Sequence, residues 1–150
     1  MQDAVSARTA PAHLWIVGIL SLLWNGFGCY DYLMSRMRNT DYIKSMMPDV
    51  DPNATLAYID GFPIWASLGW GLGVWLGLAG SVLLLMRSRH AVLAFGISLV
   101  GAVLGLGYQL MNPMPGVEGF MATGMPIIII VVAAALFLYA RAQAARGLLR

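Results

Sequence analysis

The sequence predicts an all-α membrane protein with four transmembrane helices, and three observations support this. Stretches 13–33, 64–86, 91–111 and 120–140 each supply about the 20 apolar residues that cross a hydrocarbon core of about 30 Å. None of them has a formal charge in its middle. The chain is 59% hydrophobic and 11% charged, whereas about a quarter of the residues in a soluble domain are charged. The basic residues collect at the ends of the stretches. Alternating the connections between two faces puts Arg8, Arg87, Arg89, Arg141, Arg146 and Arg150 on one face and Arg36, Arg38 and Lys44 on the other. The positive-inside rule then predicts a multi-pass protein of a bacterial inner membrane with both termini cytoplasmic. Asp31, Asp41, Asp49, Asp51, Asp60 and Glu118 fall on the opposite, outer face. The expected organisation is a cytoplasmic tail over 1–12, a four-helix bundle over 13–140 with an outer loop at 35–63, and a basic cytoplasmic tail over 141–150.

Residues 1–12 are polar and aperiodic, contain Pro11, and read as a mobile tail. Trp15 sits at the depth of an interfacial aromatic, where the first span begins. Residues 14–23 resemble the apolar core of a signal peptide. Only one basic residue precedes them, however, and no small-x-small cleavage site follows, so an uncleaved span is expected. Gly26 occupies the place where a lipoprotein signal at Cys29 requires an apolar residue. In the outer loop, Thr40 is a candidate cap for a short helix that must stop near Met47, because Pro48 follows. Asp51-Pro52 supplies a second cap with proline at the first helical position, and Gly61 supplies a stop. Leu56 and Ile59 share one face of that segment, which suits a small helix lying on the membrane surface. Pro63 launches the second span, and Arg87-Ser88-Arg89 joins antiparallel neighbours. Residues 112–123, with two prolines and two glycines, form a turn-rich loop. A last helix starting at Pro126 would have 15 residues to Ala140, about 22 Å at 1.5 Å per residue and short for a span. The expectation is therefore helix from about Phe120 with a kink at Pro126.

Within the spans, Gly69, Gly73 and Gly77 recur every fourth residue, and Gly101 and Gly105 offer a counterpart in the third span beside the row Ala94, Ser98 and Ala102. Small residues let helix backbones approach closely in lipid. The leading reading is packing inside the chain, and the alternative is a seam for a homo- or hetero-oligomer. Asn25 is the strongly polar residue deepest in a span, in a row with Gly18, Ser21 and Gly28, so it must face protein or water. It reads as an interhelical hydrogen bond or as a contact for a substrate or quinone headgroup.

Tyr30, Asp31, Tyr32, Tyr58, Asp60, Trp65, Tyr108, Gln109 and Asn112 gather at the outer ends. They suit either an ordinary aromatic belt or a site for a sugar-like polar ligand. Met34, Met37, Met46, Met47, Met111, Met114, Met121 and Met125 lie on or beside the same face. Thioethers select Cu(I), but Met is also a common packing residue, and no His or Cys accompanies them apart from Cys29. His13 and His90 lie at the cytoplasmic ends with no partner in the bilayer to complete a haem pair. A single cysteine forbids an internal disulfide. Asn53-Ala54-Thr55 is a glycosylation sequon, meaningful only in a eukaryotic secretory pathway. The scattered basic residues form no groove for nucleic acid. No catalytic triad, metal triad or Gly-rich phosphate loop can be assembled, and no cofactor is expected.

The segment from His13 to Asn25, followed by Asp31-Tyr32-Leu33-Met34, resembles a family of small uncharacterised inner-membrane proteins of proteobacteria. Gly61-Phe62-Pro63-Ile64-Trp65 and the second span ending Leu83-Leu84-Leu85-Met86-Arg87 fit the same family. The likeness covers about the first two-thirds of the chain. Some members are labelled sugar transporters, without agreed functional residues to carry over. The inverted repeat of many secondary transporters is absent from this sequence.

The sequence reading is thus a non-enzymatic accessory or interaction subunit of the membrane, contacting lipids and held by small-residue seams. A small-solute transporter acting as a homo-oligomer is the alternative, and a quinone-binding or redox protein is third.

Overall fold

The computed structural model describes residues 9–150. Residues 1–8, which include Arg8 and most of the expected tail, lie outside the described part. The helices are α1 (Ala12–Arg36), α2 (Thr40–Met46), α3 (Pro52–Asp60), α4 (Ile64–Leu85), α5 (His90–Met111) and α6 (Met125–Ala145), the last preceded by a π-helical turn at Phe120–Gly124. No strand occurs among the described residues. Helices α1, α4, α5 and the continuous segment Phe120–Ala145 are long and apolar enough to cross a membrane. The chain is an all-α integral membrane protein with two short helices between its first and second spans.

Two spans run further than their apolar stretches. α1 continues to Arg36, and α6 to Ala145, through a run rich in alanine, a strong helix former. The expected basic tail is therefore half helix. Three helices end by the same device, in which the second residue past the cap donates its N–H five residues back. Asn39 donates to the Met34 carbonyl at 3.0 Å, Ser88 to Leu83 at 2.8 Å and Leu148 to Gln143 at 3.0 Å. The residue before each donor is left-handed, with φ of 57° at Arg38, 58° at Arg87 and 71° at Gly147. Only the last uses glycine.

Asn39, and not Thr40, caps α2. Its backbone is extended and its side chain accepts from Tyr42 N–H at 2.9 Å, whereas Thr40 is already helical. Asp51 caps α3 by accepting from Asn53 N–H at 3.0 Å, with Pro52 at the first position. Gly61 follows α3 with φ of −78°, so its left-handed freedom goes unused. Pro63 stands at the cap of α4, one place ahead of its first turn.

The expected kink at Pro126 takes the form of a widened turn. Proline lacks an N–H and its ring crowds the carbonyl four residues back. The chain resolves this by letting Met125 N–H reach the Phe120 carbonyl, five residues back, before α6 begins.

α1 packs on α4, α4 on α5 and α5 on α6. The spans thus form a curled row and not a bundle with four equal seams. The row closes at the face where α1 begins and α6 ends, termed the terminal face. There Leu14, Leu84, Phe95, Leu136 and Leu149 build the core. His13 Nδ1 and the Tyr139 hydroxyl share a hydrogen bond of 2.6 Å across the first and last spans. Arg150 pairs its backbone with the α4–α5 turn, donating to the Arg87 carbonyl and accepting from Arg89 N–H, both at 2.7 Å.

Candidate functional site

Between α4 and α5, glycine brings backbone against backbone. A Cβ added at Gly101 would lie 2.6 Å from both the Gly69 carbonyl oxygen and the Gly73 nitrogen, and one at Gly69 would lie 2.7 Å from Leu104 Cβ. Gly105 lies against the Trp70 backbone, at 2.9 Å from such a Cβ, and Gly73 against Ala102 at 3.2 Å. A Cβ at Gly77 would collide with the Asn25 side-chain oxygen. The small-residue rows are therefore used inside the chain. Ser98 adds a cross-link, donating to the Gly73 carbonyl at 2.6 Å. Asn25 sits where α1 crosses α4, and its amide donates to the Ser21 carbonyl at 2.9 Å and to Ser81 Oγ at 3.0 Å. The Cys29 thiol donates to the Val74 carbonyl at 3.2 Å.

With α4 and α5 drawn together, α1 and α6 stand on either side of them as walls. The space between holds a cleft of about 300 Å³. Trp24, Asn25, Phe27 and Gly28 form one wall, Met125, Ile129, Val132 and Ala133 the other. Ser98, Ala102, Gly105 and Gln109, on a single face of α5, form the floor with Trp70, Gly73 and Val74 of α4. Toward the terminal face it ends on Phe95 and Leu136, members of the core.

A second cavity of about 200 Å³ lies beyond, under the lobe that α2 and α3 make with the loop after α5. Tyr42, Tyr58, Thr55 and Phe62 line it, together with Met46, Met47, Met114 and Met121. Asp31, Trp70 and Gln109 line both spaces and so mark the junction between them.

The junction is partly wired. Tyr42 donates to Asp31 Oδ1 at 2.9 Å, and Tyr30 meets Tyr42 edge-on at 5.4 Å. Burial, then the Asp31 carboxylate, push the Tyr42 phenol above its ordinary range, so it remains a donor. Burial and the neighbouring Tyr108 likewise raise the Tyr58 phenol, which donates to the Asn112 carbonyl at 2.6 Å and ties α3 to the end of α5. Asp31 Oδ2 and the Gln109 amide accept or donate no hydrogen bond among the described residues.

The other residues expected from the sequence fall elsewhere. Tyr32 stacks edge-on against Trp70 at 4.8 Å, under the Arg36 guanidinium, which also donates to Ser67. Asp60 is in a surface ion pair with Arg38 at 3.1 Å, with both side chains more than half exposed. Trp65 and Tyr108 meet edge-on at 5.6 Å without lining either space. Sequence reasoning missed Trp70, which stands between Gly69 and Gly71 and lines both spaces, and Tyr42, which lies eleven residues from Asp31. Among the described residues no group of three or more His, Cys, Asp or Glu stands close enough together to hold a metal ion. The four lobe methionines offer a soft, adaptable apolar wall.

Comparison of the chain with protein-family models, with curated proteins and with solved structures finds no match.

Proposed function

We propose that this integral membrane protein acts without catalysing a reaction, as an accessory protein that binds a small amphipathic molecule. The polar end lies at Asp31, Trp70 and Gln109, and the apolar end lies between α1 and α6. The observation that carries this reading is the junction, where one carboxylate, one amide and one indole face both a lobe cavity lined by phenols and methionines and an apolar intramembrane cleft. Ligand sites are typically apolar concavities with a few placed polar groups, in the size range of about 300–1,000 Å³. The groups available are phenols, an amide, one carboxylate and thioethers, a set that holds a molecule by hydrogen bonds and packing. Binding is favoured over passage because the cleft ends on the packed Phe95 and Leu136. In the orientation that the basic residues favour, the lobe faces outward and both chain ends face the cytoplasm.

Mass spectrometry of molecules released from gently solubilised protein tests the reading. An amphiphile should leave with the wild type in near-stoichiometric amount and be lost from Ala133→Phe, which fills the α6 wall of the cleft. Equal recovery from both proteins, with helicity unchanged by circular dichroism, counts against the cleft.

A further inference from the structure

We infer that the bound molecule is an uncharged lipid with a hydroxyl head, which Asp31 and Gln109 hold while its chain occupies the gap between α1 and α6. The inference rests on the amphiphile reading above and narrows it to a headgroup.

Three observations converge on that chemistry. Among the described residues Asp31 is the one carboxylate that lines either space, and its Oδ1 is already taken by Tyr42. Oδ2 is left as a strong acceptor, and an acceptor beside a chain-lined cleft calls for a donor on the ligand. Gln109 adds an amide that can accept the same hydroxyl's hydrogen or donate to its oxygen, whichever Asp31 leaves unmet. A hydroxyl is the smallest head that satisfies both.

Among the described residues no Lys, Arg or His lines the cleft or the lobe cavity, so an anionic head would lie beside the Asp31 carboxylate without a counter-charge. Arg36 lines neither space: its guanidinium donates to Ser67 and lies 5.3 Å from the Tyr32 ring centre and 5.4 Å from that of Trp70. Carboxylate and phosphate lipids are therefore disfavoured.

Access follows from the order of the row. α1 packs on α4 and α6 on α5, and α1 and α6 approach one another at the terminal face through His13 and Tyr139. Toward the lobe the gap between them is walled by Phe27 on one side and Ile129 on the other. Phe27 is 54% exposed, so this wall is open to the membrane. A chain can slide in sideways from the lobe-side leaflet while its head stays at the depth of the helix ends.

The full chain in phosphatidylcholine nanodiscs can be titrated with 12-bromododecan-1-ol, its methyl ether and 12-bromododecanoate, with quenching of tryptophan fluorescence by the tail bromine as the readout. The alcohol should bind about tenfold tighter than the ether or the carboxylate, the scale of one hydrogen bond to a charged acceptor. Asp31→Asn should narrow both the alcohol-over-carboxylate and the alcohol-over-ether ratios, whereas Gln109→Leu should weaken the alcohol and the ether together, because the amide donates to the oxygen that both carry. Three probes quenching saturably and alike, in wild type and both variants, overturn the headgroup inference and leave the amphiphile reading intact. Absence of saturable quenching by any probe removes both.

Discussion

At the terminal face Leu14 and Leu84 are fully buried and pack with Phe95 and Leu136, whereas nearer the lobe the same four spans enclose Asp31, Trp70 and Gln109 around open space. The contrast has a cause in side-chain size. Leucine and phenylalanine fill the terminal end. Farther along, Gly69, Gly73, Gly101 and Gly105 bring α4 and α5 backbone to backbone, and the likewise small Gly28, Ser98 and Ala102 leave the gap between α1 and α6 unfilled. Close packing of the central pair and vacancy between the outer pair are thus two results of one choice of residue. The buried core lies in the closed half and the close backbone contacts lie in the glycine seam, whereas the open half holds Asp31, Trp70 and Gln109 around its two spaces.

Substitutions can break this contrast, and the largest effect is expected in the seam. Gly101→Leu drives a side chain into the α4 backbone at Gly69 and Gly73, which cannot yield as a side chain could. A loss of at least about 3 kcal/mol is expected, seen as absence of a monodisperse peak in detergent chromatography. Leu84→Ala empties a site with no exposure and should cost about 2–5 kcal/mol in reversible denaturant unfolding. A cost below about 1 kcal/mol would show that the closed half is not where stability resides. Asn25→Leu sits at the boundary between the halves. Loss of its bond to Ser81 should cost about 1 kcal/mol, and a double-mutant cycle with Ser81→Ala should recover that coupling.

Gln109→Leu sharpens the comparison from the other side. Since its side chain makes no hydrogen bond among the described residues, the change should alter stability by no more than about 0.5 kcal/mol while altering ligand binding. A loss of about 2 kcal/mol would make Gln109 a structural residue instead. Smallest of all, Asp60→Asn removes the exposed pair with Arg38, and its cost should be below about 1 kcal/mol and fade as salt is raised.

Much of the fold was legible because a span announces itself by length and lack of charge, and all four spans appear within a few residues of their expected limits apart from the added turn of α6. The seam was legible too, since repeated glycine has few other uses in a span. Arrangement was not. Hydropathy records that a helix is apolar but not which neighbour it meets, so nothing in the sequence distinguished a curled row from a closed bundle. Local endings escaped for a similar reason: Arg38 and Arg87 take the left-handed conformation that glycine would have advertised. At the site, Asn25 stood out as a polar group inside a span, and Asp31 and Gln109 stood among the polar and aromatic residues gathered at the outer ends. Trp70 and Tyr42 were not, because their roles depend on what lies across a gap and aromatic residues are expected at that depth anyway.

The row α1, α4, α5, α6 also has a consequence for biosynthesis. Each span packs on the one made just before it, so a span leaving the ribosome meets its partner already in place and none waits on a later neighbour. Domains formed largely from near-sequence contacts assemble quickly and in order of synthesis. The joins between first and last, the His13–Tyr139 hydrogen bond and the packing of Leu14 with Leu136 in the core, are then the final events, and the cleft takes its shape only when the last span arrives.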